Sequence, residues 1–128
     1  MSLTVPATLL DRAKTGEITD EEFIACVRDS LPYAWSVVSA VADELVATGG
    51  AYADNQTPPP DEAARGQLLR LVASDAMRGA VERHFNVKLA FQNCHRLAMF
   101  RPSAEAQYRE FITPRAQLLN QKPELVNC

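Results

Sequence analysis

The chain reads as mainly α-helical: a compact helical domain of five or six helices with one small β-hairpin. Three observations predict this. Residues that start or stop helices recur along it, among them Thr19-Asp-Glu-Glu22, Pro32, Gly49-Gly50 and Thr113-Pro114. Between those marks the apolar residues mostly repeat at helical spacing. Only Val87 to Phe100 carries strand-like runs, set on either side of Gln92-Asn-Cys-His95. With 128 residues, 47% of them apolar, the chain is expected to form one domain over residues 1–128 whose core needs no disulfide or metal.

Pro6 suits the first turn of a helix, where its missing N–H costs nothing, and Lys14 with Gly16 closes that helix. Thr19 and Glu22 have the spacing of a capping box, so a second helix runs from there to about Ser30 with Phe23, Ile24, Val27 and Leu31 on one face. Pro32 opens a third helix. Its apolar residues Leu31, Ala34, Trp35, Val38, Val41, Ala42, Leu45 and Val46 span half its circumference, which places it at the centre of the core.

Gly50 to Pro60 is long for a connection and rich in proline, and reads as a spacer across one end of the bundle or, less favoured, a loop with a job. A fourth helix is expected from about Asp61 to His84, with Ala64, Leu68, Leu71, Val72, Ala76, Gly79 and Ala80 facing inward. Asp75 projects into that same face. Asn86 suits a left-handed terminator, the hairpin follows, and Arg101-Pro102 ends it. Ser103 is placed to cap a short helix containing Tyr108 and Phe111, and Thr113-Pro114 starts a last one through Leu119.

No apolar run approaches the roughly 18 residues that cross a bilayer, and Met1 to Pro6 lacks the basic start and apolar stretch of a secretory signal. The expected compartment is the cytoplasm, with no membrane partner. Cys26, Cys94 and Cys128 are odd in number and widely separated, which favours reduced thiols over a disulfide framework. A formal charge of −3 argues against nucleic acid as a partner, because neutralising phosphates needs a dense basic face.

Cys94 and His95 are the only adjacent soft or titratable pair, so any chemistry would most naturally sit there. Geometry weighs against it: neighbours on a strand point to opposite faces and on a helix diverge by about 100°, so they rarely converge on one atom. Zinc would also want four ligands, and no two-cysteine clamp occurs at short spacing. The blander expectation is a packed Cys94 and a hydrogen-bonded surface or turn His95, with no metal and no cofactor. An inward Asp75 needs a partner, and Arg78 three residues on is the local candidate. It reads as a structural ion pair or a cap for the hairpin backbone, with a general base or an anchor for a cationic ligand as the alternative.

The blocks Asp20 to Trp35 and Lys88 to Arg96, with the ending Arg115 to Gln121, resemble a group of short uncharacterised actinobacterial proteins. The resemblance spans nearly the whole chain. It implies a small cytoplasmic protein and brings no established activity, cofactor or catalytic residue.

The expected function is that of a non-catalytic binding or accessory protein acting on a protein partner or a small molecule, with a homodimer as a further option. Asp75, Arg78, Cys94, His95 and Tyr52 are the candidate ligand contacts. The alternatives are a small thiol- or metal-dependent enzyme using Cys94, His95 and Asp75, or a thiol redox regulator using Cys94 and Cys128. Thiol labelling of the native protein separates these: Cys26 and Cys94 are expected to react slowly, since apolar surroundings disfavour the thiolate, and Cys128 at once. Rapid labelling of Cys94 would favour the enzyme or the regulator.

Overall fold

The computed structural model describes residues 3–93 and 95–121. Cys94 and Cys128 lie outside them. Among the described residues the protein has seven helices and a three-stranded antiparallel sheet: α1 Ala7–Thr15, α2 Asp20–Ser30, α3 Pro32–Thr48, β1 Tyr52–Asp54, α4 Glu62–Ala73, α5 Asp75–Phe85, β2 Lys88–Gln92, β3 Arg96–Phe100, α6 Glu105–Phe111 and α7 Pro114–Leu119. Mainly α with a small hairpin is therefore the fold, with one more helix than expected and one more strand.

The local signals act as their chemistry dictates. Thr19 accepts from the Glu22 N–H while the Glu22 carboxylate accepts from the Thr19 N–H, closing the capping box. That carboxyl sits below its ordinary range, first through the Thr19 backbone bond and then through Arg12 of α1, with which it pairs. Leu31 ends α2 by donating to Val27 O at 2.8 Å and begins α3 by accepting from Trp35 at 2.9 Å, with Pro32 in the first turn. Having no polar side chain, Leu31 cannot cap α3. Gln67 of α4 does so from outside, its Oε1 accepting from Tyr33 N at 2.8 Å and Ala34 N at 3.3 Å. Gly49 ends α3 at φ 65°, and Asn86 ends α5 at φ 53°, both left-handed.

The helix expected from Asp61 to His84 is two helices. Ser74 breaks it: its N–H closes α4 on Arg70 O, and its hydroxyl caps α5 by accepting from Met77 N at 3.2 Å. Serine competes with the backbone for hydrogen bonds and so favours caps over helix interiors. The break resets the helical phase, and the expected burial of Asp75 is wrong. Asp75 begins α5 with its side chain 92% exposed and pairs with Arg78 Nη2 at 2.6 Å. Arg78 also donates to Val72 O at 2.9 Å, tying α4's last turn to α5's first. Ala76 is exposed for the same reason.

Two smaller corrections concern α3 and α6. Val46 is 77% exposed, and Val37 takes its place in the core. Ala104, not Ser103, stands at the start of α6, without a side-chain cap.

The Gly50 to Pro60 segment is not simply a spacer. Its first part forms β1, which pairs with β3 in the register Tyr52↔Phe100, Ala53↔Met99 and Asp54↔Ala98. The sheet order is β1-β3-β2, with Leu89↔Met99 and Gln92↔Arg96 on the other side. Arg101 anchors this corner, donating from Nη2 to Leu45 O and from Nε to Gly50 O. Strand alternation divides the sheet into two faces. Ala53, Leu89, Phe91, Leu97 and Met99 pack into the main core with α2 to α5, whereas Ala98 and Phe100 pack with Ala104, Tyr108 and Phe111 beneath α6.

Urea unfolding checks the two helix starts. Thr19→Ala should lower stability by about 1 kcal/mol through loss of the cap. Asp75→Ala should change it by less than about 0.5 kcal/mol, as for an exposed pair.

Candidate functional site

The outer face of the sheet carries the polar groups that the main core excludes. Tyr52, Asp54, Arg96, Ala98, Phe100, Ala90, Gln92 and Lys88 occupy it by strand alternation. Helices α6 and α7 cover part of this face and are fixed to it by side chains from the end of the hairpin. Gln92 Nε2 donates to Phe111 O at 2.7 Å. Asn93, left-handed at φ 57°, donates to Asn120 O at 2.6 Å and accepts from Gln117 Nε2 at 3.1 Å. The cover is incomplete. A cleft of about 480 Å³ remains between β1, β3 and the two helices, a size typical of small-molecule sites.

Phe100 forms the aromatic centre of this cleft. Tyr52 stacks on it with ring centroids 5.0 Å apart, and Phe111 meets it edge-on at 5.3 Å. Leu119, 66% exposed, stands at the opening. The charged group is Arg96, whose side chain is only 13% exposed. Its Nε donates to Asp54 Oδ2 at 2.7 Å, and its guanidinium carbon lies 5.4 Å from the centre of the Phe111 ring. Asp54 also accepts from Gln56 at 2.9 Å. Arg96 lines the cleft, and among the described residues no acceptor meets either of its Nη groups.

A second, larger hollow of about 640 Å³ lies across α6, against Lys88, Tyr108 and Arg101. It is chemically poorer. The Nε and Nη2 of Arg101 are bound to backbone carbonyls, Arg109 pairs with Glu105, and Lys88 rests on the Tyr108 ring.

The candidate residues read from the sequence are scattered. Tyr52 lines the first cleft. Asp75 and Arg78 form a surface pair at the α4–α5 junction and line none of these hollows. His95 stands in the turn between β2 and β3, as expected, but not at the surface: it is fully buried, and neither ring nitrogen meets a partner among the described residues. Its carbonyl accepts from Asn55 Nδ2 at 3.1 Å, which pins the hairpin end to the segment after β1. Burial pushes the imidazole pKa down from its ordinary value of 6.5, Arg96 adds to this, and Asp54 opposes it. Among the described residues no three His, Cys, Asp or Glu side chains gather as metal ligands, and no helix is long and apolar enough to cross a membrane. Sequence reading missed Arg96, Asp54 and Phe111. An arginine beginning a strand whose next residues are all apolar was the available signal for the first.

Fold and cleft together define a small, mainly α protein in which a sheet lies between two helical layers and keeps an open hollow on its outer face. A family model described as NucS shadow ORF matches residues 1–128, and the chain belongs to that family. No curated protein and no solved structure matches it.

The neutral, buried His95 links stability to pH. Its folded pKa lies below the unfolded value, so the unfolded chain takes up the proton first as the solution is acidified. The stabilising contribution is complete above about pH 6.5 and is lost as pH falls through the folded value. Unfolding free energies measured from pH 7.5 downward should show this decline, and His95→Leu should flatten the part of it that begins near pH 6.5.

Proposed function

We propose that this is a non-catalytic binding protein of the cytoplasm whose ligand is a small molecule held in the cleft between the outer sheet face and α6–α7. The observation that carries this reading is Arg96. A guanidinium nearly enclosed by an aspartate and an aromatic ring, at the wall of a largely apolar hollow, matches the makeup of small-molecule sites: mostly apolar, with few convergent polar groups. The family description refers to NucS and to an open reading frame and names no activity, so the reading rests on the cleft. The enzyme alternative finds less support, because exposed Asp75 and buried His95 stand in separate environments.

Mapping by nuclear magnetic resonance tests the site. Indole and benzamide, two neutral flat probes, should shift resonances of Tyr52, Arg96, Phe111 and Asn120 on titration. Gln107→Trp places a large ring at the exposed α6 wall of the cleft and should abolish these shifts while leaving the melting temperature within a few degrees. Shifts confined to another surface, or unaffected by Gln107→Trp, would overturn the assignment.

A further inference from the structure

We infer that the cleft selects small monocarboxylates with a flat apolar body, an inference that rests on the cleft being the ligand site. Arg96 has five N–H donors on a rigid planar fork, and Asp54 accepts only from Nε. Arg96 lines the hollow and its Nη groups meet no acceptor among the described residues, so the fork keeps paired N–H groups that match the two oxygens of a carboxylate. The fork is also held in place before any ligand arrives. Asp54 fixes Nε at 2.7 Å, and Phe111 lies beside the guanidinium. Little side-chain entropy is then left to lose on binding.

The surroundings set both the charge and the shape of the ligand. Asp54 stands beside Arg96, and Glu110 lines the same cleft, held by Arg115 Nη1 at 3.1 Å. Arg96 already carries the Asp54 carboxylate and Arg115 the Glu110 carboxylate, so the cleft holds no surplus positive charge, and a single negative charge is favoured over a double one because the second adds repulsion without a further unpaired cation. Tyr52 and Phe100 lie nearly parallel, at 21° and 5.0 Å, and Phe111 stands edge-on to Phe100. Phe100 and Phe111 are buried, so the ring open to a flat apolar body is Tyr52, backed by these two.

Calorimetric titration of the full chain with matched probes tests this: phenylacetate against phenylacetamide, hexanoate against hexanamide, and phenyl phosphate as the dianion. The carboxylates should bind about tenfold more tightly than their amides, as a charge-assisted fork predicts, with phenylacetate ahead of hexanoate. Phenyl phosphate should gain nothing over phenylacetate. In the Arg96→Gln, Asp54→Asn double variant, which removes both charges together, the carboxylate preference should vanish. The wild-type ratio decides the matter even if the double variant does not fold. Equal binding of acids and amides, mapped to the cleft, would overturn the carboxylate assignment and leave the cleft as the ligand site. Binding of every probe elsewhere, or none at all, would overturn both.

Discussion

Strand β3 must be covered on both of its faces, and the remaining architecture is arranged to meet that demand. Leu97, Ala98, Met99 and Phe100 are all buried, although successive residues point to opposite sides. An antiparallel sheet of this kind ordinarily leaves one face to water. Here the side with Leu97 and Met99 needs the main helical core, and the side with Phe100 needs α6 and α7. Full burial of side chains this size contributes about 1.5–3 kcal/mol each, so neither layer is dispensable. The cleft is the place where the second layer stops short.

The helical core is built around two single-residue junctions. Leu31 closes one helix and opens the next, and Ser74 does the same farther along. They solve the same problem with different chemistry. Ser74 supplies its own hydroxyl, whereas apolar Leu31 turns fully into the core and leaves the exposed backbone donors of α3 to Gln67. The tie between α3 and α4 is therefore polar as well as apolar. At the sheet the same device recurs, where Glu82 of α5 accepts from Leu89 N at 2.9 Å and occupies an outward amide of β2. A strand edge with occupied donors is a poor template for another chain.

What was legible in the sequence was whatever depends on near neighbours. The capping box at Thr19 and Glu22, the proline starts at Pro32 and Pro114, the left-handed Asn86 and the hairpin all rest on contacts within a few residues. Ser74 sits inside a continuous apolar stripe that hides its capping role, and that one missed break rotated Asp75 from solvent into the expected core. β1 was hidden for a different reason. Three residues with a small alanine between Tyr52 and Asp54 make no periodic pattern, and only pairing with β3 makes them a strand. The cleft was the least visible of all, since Tyr52, Arg96 and Phe111 are joined only through the sheet and the return of α6. Cys94 and His95 stand out in the sequence because they are neighbours in the chain, while Arg96, one residue farther, is the one that lines the cleft.

The pairing of β1 with β3 also shapes the route to the native state. All of α4, α5 and β2 lie between these two strands in the chain, so their union closes a long loop, while the β2–β3 hairpin and the α4–α5 junction close short ones. Local pieces assemble first because they sacrifice less chain freedom. The pairing that seats Tyr52 against Phe100, and with it one wall of the cleft, therefore carries a larger cost in chain freedom than the hairpin beside it.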